Sequence, residues 1–233
     1  MKQRIVNAKI VNEGLIIEGD LLIEDERILG IDLPSSGGEK IVDADGGYLI
    51  PGMIDDQVHF REPGLEHKGE IATESRAAVA GGITSYMEMP NCNPLTISEE
   101  KLIDKRNRAS QKSLANYAFY LGATNDNLEN IKRVNHHLTC GIKIFMGAST
   151  GDMLVDNPQT LEGIFASTDL LVATHCEDTP TILKAEQAAK KRWGNNTPFG
   201  EHPNIRSEEA CYKSSSLAVS LAKKHGTKLH VLH

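Results

Sequence analysis

The sequence predicts an α/β chain: a small all-β portion followed by a run of βα units. Two observations carry that prediction. Residues 1 to 50 hold short alternating apolar runs separated by turn residues, the pattern of half-buried strands. From residue 48 onward, apolar runs of strand length alternate with amphipathic stretches of helix length. Repeated βα units build a parallel sheet, either doubly wound or closed as a barrel.

In the first portion, Ile5-Val6, Lys9-Ile10-Val11, Leu15-Ile16-Ile17, Leu21-Leu22-Ile23 and Arg27-Ile28-Leu29 read as hairpin strands. Asn12-Glu13-Gly14, Glu18-Gly19-Asp20 and Glu24-Asp25-Glu26 read as the breaks between them. Six strands are then expected at 48–59, 83–89, 116–122, 140–146, 169–175 and 228–233. The expected helices run from Glu70 to Ala80, Ser98 to Ser110, Asn127 to Asn135, Gln159 to Ala166, Thr179 to Arg192 and Ser207 to His225. Ser98 and Ser207 suit N-caps, and Gly81-Gly82 and Gly226 suit helix stops. The last residue, His233, falls at the end of the sixth strand. A closed (β/α)₈ barrel needs eight strands, in about 250 residues, so the chain is expected to be the front part of a longer protein.

The 233 residues suffice for one sizeable domain or a large and a small one. An apolar fraction of 39% with 24% charged residues is that of ordinary globular protein. A net charge of −7 argues against broad binding to nucleic acid or anionic membrane. No apolar run approaches the roughly 20 residues of a membrane span, and the start lacks a signal core. Cys92, Cys140, Cys176 and Cys211 are widely spaced, with no Cys-x-x-Cys, which reads as free thiols in a cytoplasmic protein.

The residues that could carry chemistry stand at strand ends. If 48–59 is a strand, alternation points Gln57, His59 and Arg61 the same way. Barrel enzymes assemble their sites from such positions. His59 is a surface or satisfied core histidine, or, with His175 and His233 at later strand ends, one member of a spread three-histidine metal site that no local zinc spacing marks. Lys143 lies inside an apolar strand, where an ammonium is costly. Either it is ion-paired there, or carbon dioxide has carbamylated it to a carboxylate that bridges two metals. Arg61 pairs with Glu62 or Glu66, or grips a substrate carboxylate. Asn91 is a turn residue, or a turn residue that also contacts substrate. His230 competes with His233 as a ligand; three apart on a strand they face opposite sides, and His233 is nearer the end. His67, His136, His137, His202 and His225 lie in loops or helices and are set aside.

Pro51-Gly52-Met53-Ile54-Asp55, His59-Phe60-Arg61-Glu62-Pro63-Gly64, Ala80-Gly81-Gly82-Ile83-Thr84 and Met89-Pro90-Asn91 closely resemble the dihydroorotases of the amidohydrolase superfamily. The match continues through Lys143, Thr174-His175-Cys176-Glu177 and Leu229 to His233. The resemblance implies a (β/α)₈ TIM barrel, about six of whose strands are present in residues 51–233, and a small β-sandwich portion in residues 1–50 that a missing C-terminal segment completes. It implies reversible, metal-dependent hydrolysis of dihydroorotate to N-carbamoyl-L-aspartate in pyrimidine biosynthesis, with one or two zinc ions. His59, His175 and His233 would be metal ligands, Lys143 the carbamylated bridge, and Arg61 and Asn91 the grip on the substrate carboxylate. The family's acid/base aspartate lies beyond strand 8 and so beyond residue 233. A cytoplasmic homo-oligomer is the expected state.

One position departs from the family. Its first strand carries His-x-His, and here the first of the pair is Gln57, whose amide oxygen is a poorer zinc ligand than imidazole. Two alternatives to a dihydroorotase stand, and Gln57 supports only the second. One is a related cyclic amidohydrolase acting on hydantoin, allantoin or dihydropyrimidine, rings without the carboxylate that Arg61 would hold. The other is a catalytically silent homologue that partners another pyrimidine enzyme.

Overall fold

The computed structural model describes residues 1–147 and 153–233. The chain divides into two units, Met1–Met53 and Ile54–His233.

The first unit is a five-stranded sheet of β1 (Lys2–Asn12), β2 (Leu15–Glu24), β3 (Arg27–Ile31), β4 (Lys40–Asp43) and β5 (Tyr48–Leu49), in the order β3-β2-β1-β4 with β5 also on β1. The first three strands are antiparallel, as hairpins require. Glu13 (φ 49°) and Gly14 (φ 79°) form the two-residue turn of the first hairpin, whose primed geometry matches strand twist. The later strands differ from the hairpin expectation, because β4 and β5 both join β1 in parallel. Glu18-Gly19-Asp20 is not a break but lies inside β2. Gly19 is there for clearance: a Cβ would come within 2.6 Å of Asp32 Oδ1, which accepts the Asp20 N–H at 2.8 Å. Ile5-Val6 and Lys9-Ile10-Val11 likewise belong to one strand, β1, whose register shifts between Ile5 and Ala8 around Asn7 at φ 55°.

The second unit alternates strands and helices. Its sheet contains β6 (Met53–Val58), β7 (Ile83–Glu88), β8 (Asn116–Gly122), β9 (Gly141–Phe145), β10 (Val172–His175) and β11 (Leu229–Val231), in the sequential order β11-β10-β9-β8-β7-β6. The registered pairs are parallel. This is the parallel α/β sheet expected from the repeated βα pattern, and its six strands make the half-barrel that the resemblance implied. The helices are α1 (Ile71–Ala80), α2 (Glu99–Lys112), α3 (Leu128–Arg133), α4 (Pro158–Ser167), α5 (Thr179–Trp193), α6 (His202–Ile205) and α7 (Glu208–His225). Ser98 and Ser207 cap α2 and α7, accepting the N–H of Lys101 and Ala210. Gly226, at φ 71°, closes α7 in the left-handed conformation that favours glycine. The short α6 and the 3₁₀ turn before it carry no periodicity, and the sequence reading missed them. Among the described residues, no helix is long and apolar enough to cross a membrane.

The core explains the continuous apolar runs. Phe119, Leu121, Ile142, Ile144 and Val172 are wholly buried, as strands covered on both faces must be. Every residue of β9 is buried, including Lys143.

Three strand expectations need correction where they touch the site, the last being 228–233, of which only Leu229–Val231 is strand. The 48–59 run is not one strand: Pro51-Gly52 interrupts it, Tyr48–Leu49 pairs with β1, and β6 begins at Met53. The 169–175 run starts only at Val172.

Candidate active site

β6 ends at Val58, so His59 and Arg61 lie beyond the strand and strict alternation does not place them. Arg61 instead takes φ 71°, a left-handed conformation that costs a non-glycine residue about 1–2 kcal/mol. The chain then turns through Glu62-Pro63-Gly64, and this turn docks on the one after β7. Asn93 N–H donates to the Pro63 carbonyl at 2.9 Å. Gly64, at φ 82°, rests against the Asn93 backbone, where any Cβ would run into the Asn93 carbonyl oxygen.

The docked turns join three of the sequence candidates. His59 Nδ1 lies 2.8 Å from Asn91 Oδ1, and Arg61 Nη1 donates to the Asn91 backbone carbonyl at 3.4 Å. With Asn91 Oδ1 as the acceptor, His59 carries its proton on Nδ1 and its lone pair on Nε2. Arg61 pairs with neither Glu62 nor Glu66 among the described contacts. Glu62 is engaged by Lys112 and Arg108 instead.

His175 ends β10. Its Nε2 donates to Glu177 Oε2 at 2.8 Å, which leaves the lone pair on Nδ1. The same carboxylate oxygen accepts from Arg206 Nη1. Neither Glu177 nor Arg206 was assigned a role from sequence. Glu177 stands two residues past a ligand candidate, which was a usable signal; Arg206 follows a helix of four residues and had none. A carboxylate behind an imidazole fixes its ring and raises its basicity, the usual support of a metal-ligating histidine.

His233 meets both neighbours. Its ring stands edge-on to His175 with centroids 4.8 Å apart, and Gln57 Nε2 lies 3.3 Å from its Nδ1. His230 and His233 separate differently from the alternation argument. His230 pairs laterally with Ala173, which pairs with Lys143, so all three share a face; His230 then meets Asp56 at 3.4 Å. β11 stops at Val231, and this releases His233 from the strand's alternation and lets it reach His175.

Lys143 is 1% exposed. Its Nζ sits 4.7 Å from the centre of the Phe145 ring, and among the described residues no carboxylate forms the internal ion pair that the sequence allowed. Burial holds its pKa down to about 8. Burial also lowers the three imidazoles. His59 falls to about 4, with Arg61 adding to burial and the Asn91 bond opposing it. His175 stays lowered despite Glu177, and His233 is lowered by burial and by His175. All three are neutral near pH 7, the form that binds metal.

Among the described residues, no three His, Cys, Asp or Glu side chains meet closely enough to form a ready-made cation site. The donors that gather are mixed: neutral imidazoles, an amide and a buried lysine with no counter-charge among the described residues. That donor chemistry fits a divalent metal with imidazole ligands once the lysine carries an anionic group. Gln57 is the discordant element. As oriented, its N–H₂ occupies the lone pair of His233 Nδ1. Turned over, the amide oxygen would accept from Nδ1–H and leave the lone pair on Nε2.

A family model described as Dihydro-orotase-like matches residues 46–191. An allantoinase of Bacillus velezensis is 33% identical over 98% of this chain and 51% of its own length. A dihydroorotase of Halobacterium salinarum is 30% identical over 97% of this chain and 53% of its own. Among solved structures, an L-hydantoinase (dihydropyrimidinase) from Arthrobacter aurescens superimposes with a TM-score of 0.92 at 26% identity, covering 100% of this chain and 53% of that one. The chain thus spans about half the length of the curated relatives it matches.

Proposed function

The chain belongs to the dihydro-orotase-like family, and from that premise we propose that its protein hydrolyses and re-forms the C–N bond of a cyclic amide, with dihydroorotate and N-carbamoyl-L-aspartate as the pair it interconverts. Sequence identity does not choose among ring substrates, because an allantoinase and a dihydroorotase stand equally near. The observation that carries the choice is the strained Arg61 held beside Asn91, which itself bonds to His59. This places a guanidinium next to a candidate metal ligand. A guanidinium grips a carboxylate through two parallel hydrogen bonds, and dihydroorotate carries a ring carboxylate that hydantoin, allantoin and dihydrouracil lack.

His59, His175, His233 and a carbamylated Lys143 would hold one or two zinc ions, which supply Lewis acidity at the ring carbonyl. The chain's own residues prepare that site. Buried Lys143 has free amine available near neutral pH; the amine adds to carbon dioxide, a C–N bond forms and a proton leaves, replacing a buried cation by a carboxylate. Glu177 fixes the His175 ring by holding Nε2–H, and Asn91 does the same for His59 through Nδ1–H. Gln57 orients His233 or offers its own amide oxygen. The contact between Gln57 and His233 also favours a second reading, a catalytically silent partner of another pyrimidine enzyme. Metal-dependent turnover of a cyclic amide by the full-length protein would exclude it.

A substrate panel tests the proposal. The full-length protein is expected to turn over dihydroorotate with kcat/KM at least about a hundredfold above hydantoin, allantoin or dihydrouracil. A higher kcat/KM for any of those uncharged rings would overturn the choice of substrate.

A further inference from the structure

Taking Arg61 and Asn91 as the carboxylate clamp, we infer that Glu62 is a positioning residue for it, fastened by one basic face of α2, so that this helix sets the enzyme's preference for a ring bearing a carboxylate. Glu62 is fully buried at 0% exposure. A carboxylate removed from water costs several kcal/mol unless it is paired and hydrogen-bonded. Here Oε1 accepts from Lys112 Nζ at 2.6 Å with Arg108 at 3.7 Å, and Oε2 accepts the N–H of Ile71, the first residue of α1, at 3.0 Å. These bonds pin the residue immediately after Arg61, whose left-handed conformation would otherwise relax.

The other half of the clamp is tied to the same helix. Lys105 Nζ donates to the Met89 carbonyl at 3.2 Å, two residues before Asn91. It also lies 2.6 Å from Glu88 Oε2, both side chains being 1% exposed. That pair is close but off the angle of a good hydrogen bond, since both Glu88 oxygens lack a well-aligned donor. Lys105, Arg108 and Lys112 are spaced i, i+3 and i+7, one face of a helix. A helix face devoted to two buried carboxylates, each beside one arm of the clamp, is an expensive arrangement if stability were its only purpose.

The test compares full-length wild type with Glu62→Gln and Lys112→Gln. Glutamine keeps the size of Glu62 and the acceptor for Ile71 N–H. For Glu62→Gln, KM for dihydroorotate should rise about tenfold while kcat stays within about threefold. Lys112→Gln, at a partly exposed position, should show the same split more weakly. It decides the matter if Glu62→Gln does not fold. Unchanged KM in a folded variant, or a fall in kcat alone, would overturn the positioning role. If wild type itself does not process dihydroorotate, the reading of the clamp has failed, and the inference falls with it; wild-type turnover with unmoved variants sinks the inference alone.

Discussion

Lys143→Ala is expected to lower dihydroorotate turnover by the full-length protein more than about a hundredfold, because loss of even an outer partner of a metal ligand costs about 10–100-fold. The reason is local. Lys143 occupies the middle of a strand in which every residue is buried, and it has no anionic partner among the described residues. A buried ammonium in that position is destabilising; a carbamate would be neither cationic nor idle. Alanine removes the oxygen donor and leaves the fold's apolar packing largely intact. Two further results are expected: bound zinc falls, as read by elemental analysis, and a short carboxylic acid added in solution partly restores turnover by entering the space vacated. Undiminished activity and zinc content in Lys143→Ala would exclude the bridging role.

The second large effect is at Arg61. Arg61→Ala should lower kcat/KM for dihydroorotate by about 2–4 kcal/mol, roughly 30- to 1000-fold, the usual cost of removing one partner of a desolvated charge pair. The loss should be confined to substrates with a carboxylate. A weak residual activity toward dihydrouracil should be unchanged or raised, because the strained left-handed backbone at Arg61 serves no ring that lacks the anion. Equal losses on both kinds of ring would mean that Arg61 holds the fold and not the substrate.

Much of the second unit was legible in the sequence, and the reasons are specific. β8, β9 and β10 are covered on both faces, so they read as unbroken apolar runs that alternate with capped helices. Ser98, Ser207 and Gly226 announce helix ends because each satisfies a need only a few residue types meet. Lys143 stood out because an ammonium contradicts its apolar surroundings. What sequence periodicity could not supply were the departures from regular backbone. Alternation carried Gln57, His59 and Arg61 along a strand that ends at Val58, and the left-handed turn at Arg61 depends on a docked partner turn at Asn93. Glu18-Gly19-Asp20 looked like a turn because glycine and acidic residues favour turns; the clearance that Asp32 needs is a long-range fact. Arg206 reaches Glu177 across 29 positions, and no local spacing encodes that bond.

The most direct measurement is dihydroorotate hydrolysis by the full-length protein before chelation, after chelation and after return of zinc. Activity that disappears with the metal and comes back with it is the expected result, and it would show that Gln57 is compatible with a working metal site. Absence of dihydroorotate hydrolysis in every metal state, or turnover that persists after complete chelation, would contradict the metal-dependent carboxylate-ring hydrolase proposed for this chain.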